Sequence, residues 1–133
     1  MKPEKLLYAT THEWVAVETD QTGAKVATLG ISAFAFESLN DLIFIELPTV
    51  GREVKAGEAV AKIESVKAIS DIHSPVDGQV IEVNSDLLDN LDDLADDPYE
   101  SGWFVKVKID NDSGLTKLLD HAAYQKQCEE DGD

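Results

Sequence analysis

The chain has 133 residues, and 27 acidic against 11 basic side chains leave a formal net charge of −16. That length suits one domain with a single modest core, and so acidic a field repels nucleic-acid phosphates and anionic lipid surfaces. One cysteine, Cys128, excludes an internal disulfide and any multi-cysteine metal centre. No apolar run approaches the ~20 residues of a membrane helix. The opening MKPEKLLYAT has the pattern of neither a secretory signal nor a transit peptide. A cytoplasmic protein is therefore expected, or a mitochondrial matrix protein for a processed eukaryotic chain.

In chain order, 13–18 (EWVAVE) reads as a half-buried strand carrying Trp14 and Ala16. Gln21-Thr22-Gly23 marks a turn, and 24–30 a second strand. Ser32 is placed to cap a short helix over AFAFESLND. Residues 42–47 (LIFIEL) form a nearly continuous apolar run, expected as a strand buried on both faces, with Pro48 ending it. AVAKIES (59–65) and AISDIHS (68–74) are strand-like and separated only by Val66-Lys67. Asp77-Gly78 then turns the chain into 79–84. Leu87, Leu88, Leu91 and Leu94 recur at helical spacing. WFVKVKI (103–109) alternates, with Trp103, Val105, Val107 and Ile109 on one face. From Leu115 to about Glu130, with Leu118, Leu119, Ala122 and Ala123, a surface helix is expected. Short strands at this spacing give a mostly β sandwich or flattened barrel.

Val66-Lys67 is an unusual hairpin tip. Two-residue loops select glycine, asparagine or aspartate for positive φ, and valine is stiff there. A tip lysine holds a primary amine clear of the backbone, where an enzyme can acylate it. A longer loop with a solvated lysine is the plainer alternative.

The segment GEAVAKIESVKAISDIHSPVDGQVIEVN resembles the hammerhead hairpin of lipoyl and biotinyl carrier domains. A glycine opens its first strand, Ile-Glu precedes the tip, and Ser-Pro-X-X-Gly follows the lysine. Biotin carriers have methionine on both sides of that lysine; here the neighbours are Val66 and Ala68. ESVKA followed by SDIHSP is similar to the glycine cleavage H-protein family, as are THEWV, GIS, IFIELPTVG, DPYESGW and the terminal CEE segment. The resemblance covers about residues 6–130 and implies a single carrier domain spanning 1–133, with a frayed acidic C-terminus. It implies a hammerhead, or barrel-sandwich hybrid, of short antiparallel strands with a few peripheral short helices, one of them C-terminal.

It also implies a carrier and not an enzyme, with lipoate attached to Lys67 and with Glu64, Ser65, Val66 and Ala68 read by the attaching enzymes. Glu13 and Asp71 match family carboxylates expected to contact the loaded arm. The implied partners are a pyridoxal-phosphate-dependent glycine decarboxylase, a tetrahydrofolate-dependent aminomethyltransferase and an FAD-containing dihydrolipoyl dehydrogenase. A monomer is expected. The chain departs from the family at Ala33-Phe34-Ala35-Phe36, where the usual pattern is close to Asp-His-Ala-Gln, and at Leu91, where a proline is usual. A lipoyl relay protein for 2-oxoacid dehydrogenases and an unmodified acidic interaction module are the alternatives.

His12, His73 and His121 lack metal-ligand spacing and read as surface or packing residues. The acids around Cys128 argue against a reactive thiol. The acidic run through Asp92, Asp93, Asp96 and Asp97 has no calcium-loop pattern and reads as a solvated face or a docking patch.

Overall fold

A computed structural model describes residues 6–9, 12–32, 42–66, 69–89, 102–111 and 118–131. Its elements are strands β1 (Leu7–Tyr8), β2 (Glu13–Thr19), β3 (Lys25–Ile31), β4 (Leu42–Glu46), β5 (Glu53–Val54), β6 (Ala59–Ser65), β7 (Ile69–His73), β8 (Asp77–Val83) and β9 (Val105–Asn111). Two helices are described, α1 (Asp86–Asp89) and the C-terminal α2 (His121–Asp131). The strands form a six-stranded sheet in the order β1-β2-β3-β9-β8-β5 and a three-stranded sheet β4-β6-β7. All the pairings are antiparallel. This is the mostly β sandwich that the strand spacing predicts.

Alternation in β2 and β3 builds the core. Val15, Ala27, Leu29 and Ile31 point inward to meet Ile45, Val60, Ile63 and Ile72 from the smaller sheet. The turn between β2 and β3 is held by Asp20. Its carboxylate accepts the Thr22 hydroxyl at 2.6 Å and the N–H groups of Thr22 and Ala24 at 2.8 and 3.0 Å. The Thr22 hydroxyl, chiefly, holds this carboxyl below its ordinary pKa.

The first half of β2 is buried on both faces, not half-buried as its pattern suggests. Trp14 and Ala16 point away from the main core into a second cluster with Leu6, Tyr8 and Tyr124. Helix α2 lies over that outer face, and the Tyr8 and Tyr124 rings stack with centroids 4.3 Å apart. The Tyr124 hydroxyl bonds to Ser32 Oγ and lies 2.7 Å from His12 Nδ1. Burial on this scale stabilises by ~1.5–3 kcal/mol per large apolar side chain.

Several sequence expectations are corrected here. Among the described side chains of β4, Ile45 enters the core, while Ile43 and Phe44 are 59% and 50% exposed. A register irregularity between Leu42 and Phe44 leaves these two neighbours both open to solvent. Asp77-Gly78 is no turn but the start of β8. In the 103–109 segment, Phe104 fills the main core and Trp103 joins the outer cluster. Lys106 Nζ sits 5.2 Å from the Trp103 ring centroid. Leu119 precedes α2 and bridges to Tyr8, with backbone bonds of 2.8 and 2.7 Å. Asp120 caps α2 by accepting the Ala123 N–H, and Tyr124, not Ala122 or Ala123, is its buried contact.

The expected helix after Ser32, including Phe34 and Phe36, lies outside the described residues. So do Leu91, Leu94, Leu115 and the acids Asp92, Asp93, Asp96 and Asp97. Among the described residues no helix is long and apolar enough to cross a membrane.

Candidate functional site

The β6–β7 hairpin is the edge-to-centre pair of the smaller sheet, with β4 on the far side of β6. Its register runs Lys62↔Asp71, Ile63↔Ser70 and Glu64↔Ile69. Glu64↔Ile69 is the last pairing among the described residues, and Lys67 and Ala68 lie outside them. The two-residue tip expected at Val66-Lys67 thus falls partly outside the described residues.

Around that connection the exposed and buried positions separate sharply. Ser65 still pairs with Leu42 and is buried, whereas Val66 is 66% exposed. Ile69, where β7 resumes, is 64% exposed. Beneath them Ile63 and Ile72 are sealed in the core. The hairpin is anchored by its inward side chains, and Val66 and Ile69 next to residues 67–68 are open to solvent.

Glu13 and Asp71 have different settings. Glu13 is fully buried, and its Oε2 accepts the backbone N–H of His73 at 2.9 Å; His73 Nδ1 lies 3.3 Å from the same oxygen. The carboxylate thus ties β2 to the outer edge of β7. Asp71 is exposed on β7, opposite Lys62. It stands one same-face step from His73 towards the tip, about 6.6 Å along the strand. The sequence reads His73 as a surface or packing residue, without its role at this edge. Its partner lies sixty residues away in the chain, and only the Ser74-Pro75 break beside it hints that this edge must be fixed.

A strand-edge N–H that loses its buried carboxylate acceptor is left as an unsatisfied donor, at a cost of about 1–3 kcal/mol. Glu13→Ala should therefore lower unfolding free energy by roughly that amount, plus a cavity contribution. Glu13→Gln, which keeps an acceptor oxygen, should recover most of it. Denaturant melts of the three proteins check this, and equal midpoints for Ala and wild type would dismiss the tie.

The three histidines are dispersed. His12 meets Tyr124, His121 lies 5.9 Å from the Tyr8 ring, and His73 meets Glu13. Among the described residues no group of three or more His, Cys, Asp or Glu side chains converges to hold a metal ion.

Two antiparallel sheets over one core, with the β6–β7 hairpin in the smaller one, are the architecture of the hammerhead class of carrier domains. A family model described as "Glycine cleavage H-protein" matches residues 6–131. A glycine cleavage system H protein of Rhodopirellula baltica is 55% identical over 130 residues, covering 98% of this chain and 97% of that one. Its counterpart in Acinetobacter baumannii is 47% identical over 123 residues, covering 92% and 95%. The crystal structure of a glycine cleavage system H protein from Mycobacterium marinum superposes with a TM-score of 0.83 at 35% identity, covering 95% of this chain and 98% of that one. The chain belongs to the glycine cleavage H-protein family.

Proposed function

We propose that Lys67 carries lipoate as an amide and that the chain shuttles an aminomethyl group in the glycine cleavage system. The group would be received at the pyridoxal-phosphate-dependent glycine decarboxylase and passed to the tetrahydrofolate-dependent aminomethyltransferase. Dihydrolipoyl dehydrogenase, with FAD, would then take the electrons. The chain itself is a carrier and catalyses none of these steps, and a cytoplasmic location fits the reading. One observation carries it. The end of β6 and the start of β7 turn Val66 and Ile69 to solvent on both sides of residues 67–68, while Ile63 fixes the hairpin below. When bound, lipoate supplies a dithiolane, a disulfide whose opening is a two-electron exchange.

The chain's own residues then have defined parts. Glu64, Ser65, Val66 and Ala68 present the lysine to the attaching enzyme. Asp71, exposed and near the tip, accepts a charge-assisted hydrogen bond from the amine of the loaded arm. Glu13, sealed against His73, acts as a positioning residue that holds the β7 edge. Lipoylated chain, the decarboxylase and glycine should give glycine-dependent exchange of labelled bicarbonate. No exchange with fully lipoylated chain would overturn this reading.

Charge completes the account. A carrier that meets at least three enzymes in turn gains from a steering field, which acts on association and is screened within ~8 Å at physiological salt. Replacing Asp92, Asp93, Asp96 and Asp97 by Asn should raise the KM for the carrier at low salt. The difference should fade as salt rises, with kcat unchanged. Equal KM values at low salt would leave these acids as a solubility feature.

A further inference from the structure

We infer that Ile43, Phe44, Val66 and Ile69 form a docking collar for an enzyme surface made of an apolar ledge with a basic side chain set to meet Glu64. This rests on the proposed function, since it takes the hairpin end as the part that enters a partner. Register places Phe44, Glu64 and Ile69 side by side across β4, β6 and β7, so their side chains share one face. The next row, Ile45 and Ile63, is fully buried. The Phe44 row therefore faces away from the core. Its apolar members are 50% and 64% exposed, and Ile43 and Val66 beside them are 59% and 66% exposed.

Single exposed apolar side chains are ordinary, but a group is not. The other large exposed ones among the described residues, Val17, Val50 and Ile81, sit on separate elements. An apolar centre within a polar border is the anatomy of a binding surface. Here the apolar side chains of Phe44 and Ile69 flank one carboxylate, Glu64, and the polar border behind them is Glu46, Lys62 and Asp71.

Charge selects the occupant. A second copy would bring another −16 to the contact, and an anionic membrane is repelled in the same way. A basic partner is attracted, and a desolvated pair with Glu64 would set the register of docking. Val66 and Ile69 flank residues 67–68 in the chain, and Phe44 pairs across the same row as Ile69, so an enzyme that takes the arm into a recess meets these side chains at its rim.

The test compares Phe44→Ser and Ile69→Ser with Ile81→Ser, a change on β8 in the other sheet. All are used as full-length chains, with lipoyl occupancy confirmed by intact mass and arm reactivity by thiol titration after reduction. In glycine-dependent bicarbonate exchange with glycine decarboxylase, the KM for the carrier should rise about tenfold or more for the first two. Values of kcat should hold, and Ile81→Ser should stay within about twofold of wild type. Unchanged KM values for both collar variants would overturn the inference. So would an equal rise for Ile81→Ser, or a wild-type dimer in sedimentation that the collar variants abolish. Failure of the wild-type carrier to exchange at all would instead strike the proposed function, and the collar with it.

Discussion

Lys67→Arg should emerge from a lipoylating cell or a ligase reaction with no added mass, and should support no glycine-dependent exchange. Acylation needs a neutral amine nucleophile, and a guanidinium stays protonated and delocalised at any working pH. The loss should be complete, not graded, because no other lysine is framed by Glu64, Ser65 and Val66. Stability should be unaffected. The neighbouring Val66 is 66% exposed, and surface substitutions of this kind stay within about 0.5 kcal/mol. Intact mass and a thermal melt check both halves. A lipoylated or active Arg variant would refute the assignment of Lys67.

Gly78→Ala should be the most damaging small change in the scaffold. A Cβ at this position would lie 2.1 Å from the Lys108 carbonyl oxygen and 2.7 Å from Val107 Cγ1. Gly78 sits in β8 between β5 and β9, beside a register shift, so the obstacle is backbone held on both sides. Overpacking against rigid backbone reaches or exceeds the ~1–3 kcal/mol typical of such changes, and the melting point should fall by roughly 10 °C. Gly57 offers the contrast. It has φ +87° with open space around it, so Gly57→Ala meets only backbone strain of about 1 kcal/mol. A Gly78→Ala protein that melts with wild type would show that β8 shifts freely.

Much of this was readable from residue order, and the exceptions have physical causes. The hairpin from Ala59 to His73 announces itself through strand periodicity and through glycine and proline breaks at Gly57 and Pro75. Strand β4 misleads, because LIFIEL looks the same whether its side chains fill a core or face solvent. Only the register with β6 shows that Ile45 turns inward while Phe44 faces out. Asp77-Gly78 misleads for a related reason. The dipeptide is a common turn signal, yet here the glycine answers a close approach by Lys108, which no local pattern reveals. Trp103 and Phe104 exchange expected places because β9 starts two residues later than the alternation suggests. Burial of Glu13 was equally hidden, since its partner is a peptide N–H on β7.

The central claim is that this chain works as a lipoyl-lysine carrier through Lys67. The most direct measurement is the intact mass of the protein isolated from its native cell, followed by fragmentation of the peptide that spans the β6–β7 connection. The account predicts one added lipoyl amide, located on Lys67, on a substantial fraction of the molecules. An unmodified chain from cells actively cleaving glycine, or the group on any other lysine, would contradict it.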